Sequence, residues 1–157
     1  MTPTGMWVFP FPGVARVNSW FGFRISPGGI GSSDHVGVDF ATPSRSPILS
    51  VSDGVVLSIG LINFQGSGYG YHVRISHPDG SITRYAHFLE PPTLREGDPV
   101  VAGQEVGKSG NTGTSVGTHL HFDVVVDGKP VDPVSFMLER GVDFTALPFY
   151  EPIGPWK

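Results

Sequence analysis

The 157-residue chain contains no cysteine. Disulfides and thiolate metal sites are therefore excluded, and any metal would have to be held by His, Asp or Glu. The redox compartment stays open, because a cysteine-free protein works in either environment. Positive charge is scarce as well: 10 Lys and Arg against 14 Asp and Glu give a formal net charge of −4, with no basic run. Nucleic-acid binding is not expected, since phosphate neutralisation needs clustered cations. No apolar run is long enough to cross a bilayer, so membrane insertion is not expected either. The first Lys or Arg is Arg16, so the leading residues have no basic n-region and do not read as a secretory signal. The expectation is a trimmed chain or an export route that uses no signal peptide.

What is present is apolar residues, at 39 %, with 22 Gly and 15 Pro scattered between them and no repeat. That pattern fits many short strands joined by tight turns. The length suits one domain, expected over residues 1–141, with a tail at 142–157. Val, Ile, Tyr and Phe, often alternating, mark strands at 48–52, 54–61, 69–77, 80–88, 98–101, 104–107 and 119–126. Residues 7–25, rich in aromatics and Pro, read as an extended leading segment packed on a sheet, and 26–34 as a Gly/Ser-rich loop. His77-Pro78-Asp79-Gly80 and Asp127-Gly128 read as turns. One short helix is expected from an Asp132 N-cap and Pro133 through Arg140, ended by Gly141. The expected fold is all-β: an antiparallel open sheet or flattened barrel around a groove, walled by loops 26–34, 62–68 and 109–118.

Six histidines offer chemistry. His35 and Asp39 flank Val36-Gly37-Val38, poor helix formers. In a straight strand they would lie about 13 Å apart, too far to share one ion. The backbone must bend between them, and Gly37 permits it. His119 and His121 alternate with Leu120 and Phe122, so a strand places both imidazoles on one face and both apolar side chains in the core. Both could bind one metal, or one could bind while the other lines a cleft. His87 ends a strand, and a lone His there is more often structural. His72 and His77 have no partner pattern and read as structural.

Two other motifs fail. Gly103-Gln-Glu-Val-Gly107-Lys108-Ser109 has three residues between its glycines where a phosphate-binding loop needs four, and Gly110-Asn111-Thr112-Gly113 cannot open a helix. The same stretch looks like the hairpin of a biotinyl or lipoyl carrier, but Lys108 lacks the usual neighbours and the histidines would go unexplained.

Taken in order, the motifs resemble the lysostaphin family of zinc endopeptidases, also called LytM-like. His35-x-Gly37-x-Asp39 resembles the family's first metal motif. Ser52-Asp53-Gly54-Val55-Val56, Gly68-Tyr-Gly-Tyr71 and Val73-Arg-Ile-Ser-His77 resemble the strands after it. Tyr85-Ala86-His87 matches its histidine strand. Gly103-Gln104-x-Val106-Gly107, Gly110-x-Thr112-Gly113 and His119-Leu-His-Phe122 match its closing block, succeeded by Val131-Asp132-Pro133. The resemblance covers residues 35 to 133.

The resemblance implies one zinc ion per chain on His35, Asp39 and His121, with His87 and His119 as catalytic histidines. It implies hydrolysis of peptide bonds in bacterial cell-wall peptidoglycan, outside the cytoplasmic membrane. A monomer is the default expectation, and the lack of a signal and of any wall-binding repeat fits a phage lysin or virion-borne enzyme, or equally a trimmed domain. The net charge gives little non-specific attraction to anionic walls, so recognition would fall to a specific groove or to another chain. The alternative is an inactive relative that binds the wall or regulates. Such relatives usually lose ligand positions, and here all five expected positions are filled.

Overall fold

The structure, a computed structural model, describes residues 5–13, 15–25, 32–61, 68–113 and 117–147, with the side chains of 23–25 and 32–35 outside that description. Among the described residues the chain is mostly strand. In order these are β1 (Arg16–Ser19), β2 (Gly22–Ile25), β3 (Ser32–His35), β4 (Val38–Ala41), β5 (Pro47–Leu49), β6 (Gly54–Leu61), β7 (Tyr71–Ser76), β8 (Ile82–Phe88), β9 (Pro99–Val100), β10 (Glu105–Lys108), β11 (Leu120–Val126) and β12 (Lys129–Val131). Helix α1 (Pro133–Leu138) and a 3-10 turn (Phe144–Ala146) come next. One open sheet runs β1-β4-β11-β8-β7-β6-β9, with β12 added on β11, and β2–β3 and β5–β10 form separate pairs. All the pairings are antiparallel. The architecture is all-β with one short helix near the C-terminal end, as expected, and the sheet does not close.

The seven runs read as strands coincide with β5 to β11. Five short strands had no such reading. Of these, β3 occupies residues taken for the end of a loop, because 32–35 pair with 22–25. The parts of the expected wall loops at 26–31, 62–67 and 114–116, and the tail from 148, lie outside the described residues.

Period-2 alternation sorts the sheet into two faces. Val38 and Phe40 of β4, Leu120, Phe122 and Val124 of β11, Tyr85 of β8, and Val73 and Ile75 of β7 are completely buried on one face. Against them pack Phe11, Ile48, Val51, Met137 and Phe144. Each such side chain taken fully out of water contributes about 1.5–3 kcal/mol. The other face carries Asp39, His121, Asp123, Arg84, His72 and Arg74. A sheet with one apolar and one polar face needs a covering layer on one side only, which leaves the polar face available for a cleft.

Helix α1 starts where its sequence signals put it. Asp132 Oδ1 accepts a hydrogen bond from Val134 N at 2.9 Å, with Pro133 in the first turn. It ends at Leu138, two residues before the expected Arg140. Beyond it the Val142 N–H donates back to Met137 O at 2.9 Å across Gly141, whose φ is +84°. That reversal seats Val142 and Phe144 in the core.

Candidate active site

The break between His35 and Asp39 falls where the sequence requires it. β3 ends at His35 and β4 starts at Val38, so Val36 and Gly37 form the joint. Glycine is needed there for clearance rather than for an unusual φ. A Cβ at Gly37 would stand 2.6 Å from Phe122 O and 2.7 Å from His121 Cε1. A side chain at this position would therefore drive the His121 ring from its place.

Asp39 pairs in register with His121 across β4 and β11. His121 Nδ1 lies 3.0 Å from Asp39 Oδ1, and His119 Nε2 lies 3.7 Å from the same oxygen. The two imidazoles thus share one face, while Leu120 and Phe122 are buried on the other, as alternation predicts. His119 Nδ1 donates to Gly117 O at 2.8 Å, which turns Nε2 toward the carboxylate.

His87 joins this group through a defect in β8. Val73 pairs with Tyr85 and Tyr71 with Phe88, so three steps on β8 match two on β7. The extra residue sits beside His87, whose φ is +64°. In an unbroken strand Tyr85 and His87 would face the core together. The bulge sends Tyr85 and Phe88 to the core and re-aims His87 into the cleft. A left-handed backbone on a non-glycine residue costs about 1–2 kcal/mol. Two bonds hold it there: His87 N–H donates to Tyr69 O at 2.9 Å, and Nδ1 donates to Thr112 O at 2.6 Å. The Nε2 edge is left for the cleft, and the His87 and His119 ring centroids are 4.7 Å apart.

The segments carrying Tyr69 and Thr112 are pressed together. Thr112 Oγ1 donates to Phe88 O at 2.6 Å and accepts from Tyr71 N at 3.1 Å. A Cβ at Gly113 would stand 2.3 Å from Gly70 N, and one at Gly70 would stand 2.5 Å from the Thr112 carbonyl carbon. The two segments are therefore anchored to each other.

Electrostatics divide the histidines. Burial, followed by repulsion from His119, pushes His87 down to about 4, so it is neutral at pH 7. Burial also opposes a charge on His121, but hydrogen bonds to Asp123 and Asp39 outweigh it and raise the ring to about 9.

The sequence reading missed three side chains behind the site. His121 Nε2 is 2.8 Å from Asp123 Oδ2. Arg84 Nη1 lies 3.8 Å from the same oxygen, and its guanidinium sits 3.9 Å above the Tyr69 ring. The alternation that paired His119 with His121 runs on to Asp123, so that signal was available. Arg84 and Tyr69 needed the strand register. His72 lies behind this group, with its ring across Gly60 and Nδ1 donating to Gly70 O at 2.9 Å. His77 is on the core side: Nδ1 donates to Asp53 O at 2.7 Å, and Nε2 is 2.8 Å from Thr83 Oγ1.

One carboxylate oxygen and one imidazole nitrogen in contact, beside a second imidazole, are donors of the type zinc takes. The His35 side chain lies outside the described residues. Among those that are described, no three His, Asp or Glu side chains gather into a metal cage.

An open antiparallel sheet with this motif order and this cluster is the pattern of a peptidase family. The sequence profile of peptidase family M23 matches residues 33–133, and the chain belongs to that family. It is 40 % identical over 125 residues to the DD-carboxypeptidase/endopeptidase Mpg of Neisseria meningitidis serogroup B, covering 78 % of this chain and 27 % of that protein. The chain therefore spans about a quarter of that relative's length. In fold it is similar to a zinc containing peptidase from Vibrio cholerae, with a TM-score of 0.68, 31 % identity, and 83 % and 39 % of the two chains covered. It is also similar to the catalytic domain of the antimicrobial peptidase lysostaphin from Staphylococcus simulans, with a TM-score of 0.67, 30 % identity, and 79 % and 92 % covered.

Proposed function

We propose that this chain is a zinc-dependent endopeptidase that hydrolyses peptide cross-links of bacterial peptidoglycan. The reading rests on one observation above the others: Asp39, His119, His121 and His87 converge on a single spot of the sheet's polar face. The names of its M23 relatives agree with it.

In this reading His35, Asp39 and His121 hold one zinc ion, with His121 contributing Nδ1. Bound there, zinc would polarise the scissile carbonyl and lower the pKa of water toward about 7. His87 and His119 handle protons. The carbonyls of Thr112 and Gly117 take their Nδ1 protons, so each neutral ring offers the Nε2 lone pair. With centroids 4.7 Å apart, a charge on one ring discourages a charge on the other. One ring accepts the proton of the attacking water at Nε2, and the other, carrying a proton taken from solvent at Nε2, donates a hydrogen bond to the developing oxyanion. The substrate would lie along the polar face, outside the cytoplasmic membrane. Among the described residues no helix is long and apolar enough to cross a membrane.

The test is amine release from purified peptidoglycans of several cross-link types, using zinc-loaded protein and a His119→Ala control. New N-termini that vanish in the control are expected, and the fragment masses name the bond. No release from any wall, by protein that still binds one zinc, would replace this reading with that of an inactive wall-binding or regulatory relative.

A further inference from the structure

We propose that Asp123 is a positioning residue for the metal site: its carboxylate takes the Nε2 proton of His121 and so turns the Nδ1 lone pair toward Asp39. The inference rests on the reading of Asp39 and His121 as zinc ligands and adds a residue to it.

A neutral imidazole carries one ring proton, and its location decides which nitrogen can bind an ion. His121 touches a carboxylate at each nitrogen: Asp39 Oδ1 at 3.0 Å from Nδ1 and Asp123 Oδ2 at 2.8 Å from Nε2. If the proton sat on Nδ1, it would point at Asp39 and block the ligand position. When an ion displaces one of the two ring protons, Asp123 offers the acceptor at the shorter distance, which favours keeping the proton at Nε2. Carboxylate–histidine–metal relays work in this way, by fixing ring tautomer and orientation.

Asp123 is built to stay where this role needs it. It is buried, one alternation beyond His121 on the same face of β11, and pairs in register with Arg84 of β8. Arg84 Nη1 lies 3.8 Å from the oxygen that faces His121, which ties that carboxylate to β8. The Arg84 guanidinium stacks 3.9 Å above the Tyr69 ring, and the Tyr69 ring stands 5.4 Å from that of His121. Four side chains thus close a circuit: His121 to Asp123, to Arg84, to Tyr69, and back to His121. The Tyr69 carbonyl also takes the His87 N–H at 2.9 Å, so the same circuit braces the neighbouring histidine. A sheet surface has no need of a buried carboxylate beside a half-buried guanidinium at this spot, whereas a ring that must present one chosen nitrogen does.

The experiment uses the whole chain. Long-range proton–nitrogen NMR of the zinc-loaded parent should show His121 protonated at Nε2 and metal-bound at Nδ1. Binding through Nε2 would overturn the proposal without any variant. In Asp123→Asn, close to isosteric, the side-chain amide can turn its NH₂ toward Nε2 and favour the Nδ1–H tautomer. The metal-free variant should then show that tautomer, and chelator competition should give zinc affinity weakened by about 10–100-fold. A folded Asp123→Asn that binds zinc within about twofold of the parent, with an unchanged tautomer, would sink this inference and leave the peptidase reading standing. A parent chain that binds no zinc would remove both.

Discussion

His77 and His121 are nearly equally buried, at 3 % and 5 % exposure, and each has both ring nitrogens engaged. They differ in the charge of their partners. His77 meets a carbonyl and a hydroxyl, and burial pushes its pKa down. His121 meets two carboxylates, which overcome its burial and raise it to about 9. Around His77 every group has an assignable role. The Val51 N–H donates to Tyr85 Oη, whose proton goes to Thr83 Oγ1, whose proton goes to Nε2, while Nδ1–H donates to Asp53 O. The reverse tautomer would set a lone pair against the Asp53 carbonyl. A neutral ring completing a neutral chain supports a fold, whereas a ring between two anions occupies a place that suits a cation. Burial and bond count do not separate the two cases, but partner charge does.

The contrast between the two rings is tested most severely at the charged one. Asp39→Ala or His121→Ala should abolish stoichiometric zinc binding and cut amine release from peptidoglycan by at least about 10³-fold, since removing the metal removes both of its contributions. Circular dichroism should show the sheet retained. Ordinary zinc binding and turnover by either variant would put both residues on the structural side with His77.

His87 gives the next largest effect and adds a second readout. His87→Ala and His87→Gly should each lose about 10²–10⁴-fold in turnover with zinc still bound. Because the backbone there is left-handed, the Gly variant should be the more stable of the two, by about 1 kcal/mol in denaturant unfolding. Equal stabilities would mean that the bulge relaxes once the imidazole is gone.

At the neutral end, His77→Ala should cost about 1–3 kcal/mol of stability, by removing the acceptor for the Thr83 hydroxyl proton and the ring donor to the Asp53 carbonyl. Turnover per folded molecule should be unchanged. A loss of turnover at full zinc occupancy would contradict the division between the two regions.

The smallest effect is a pH dependence. His77 and His87 have folded pKa values below 6.5, that of His87 near 4. Each therefore contributes stability that is full above pH 6.5 and fades as pH falls toward the folded value, because the unfolded chain takes the proton first. In metal-free protein His121 runs the other way. Its contribution is full below pH 6.5 and lost as pH rises through about 9. Denaturant midpoints measured across pH 4–10 should decline at both ends, and the decline on the acid side should be smaller in His77→Ala.

Much of this was legible in the sequence, for identifiable reasons. The runs that became β5 to β11 are apolar, alternating and bounded by turn residues, so local pattern and final structure agree. β1 to β4 hold short polar stretches such as Ser32–His35, whose pairing comes from partners and not from their own composition. The His119/His121 face came from alternation, and the joint between His35 and Asp39 from a distance argument. The role of Gly37 did not, because clearance against β11 is a property of the assembled sheet. His87 was the least readable. A bulge that turns a core-facing position into the cleft leaves no local trace beyond Tyr85-Ala86-His87 itself. His77 read as structural from its turn, and its place in a buried chain of hydrogen bonds agrees with that.

The paired glycines at 70 and 113 bear on how this scaffold could be retargeted. With backbone meeting backbone at that junction, any side chain added there would spread the walls and pull Thr112 O away from His87 Nδ1. Variation in substrate preference is therefore least disruptive where it leaves this junction alone. Under the proposed peptidase reading, a library built to alter the cleaved bond should hold positions 70, 112 and 113 constant and place its diversity elsewhere on the polar face, where new contacts can be tried without disturbing His87.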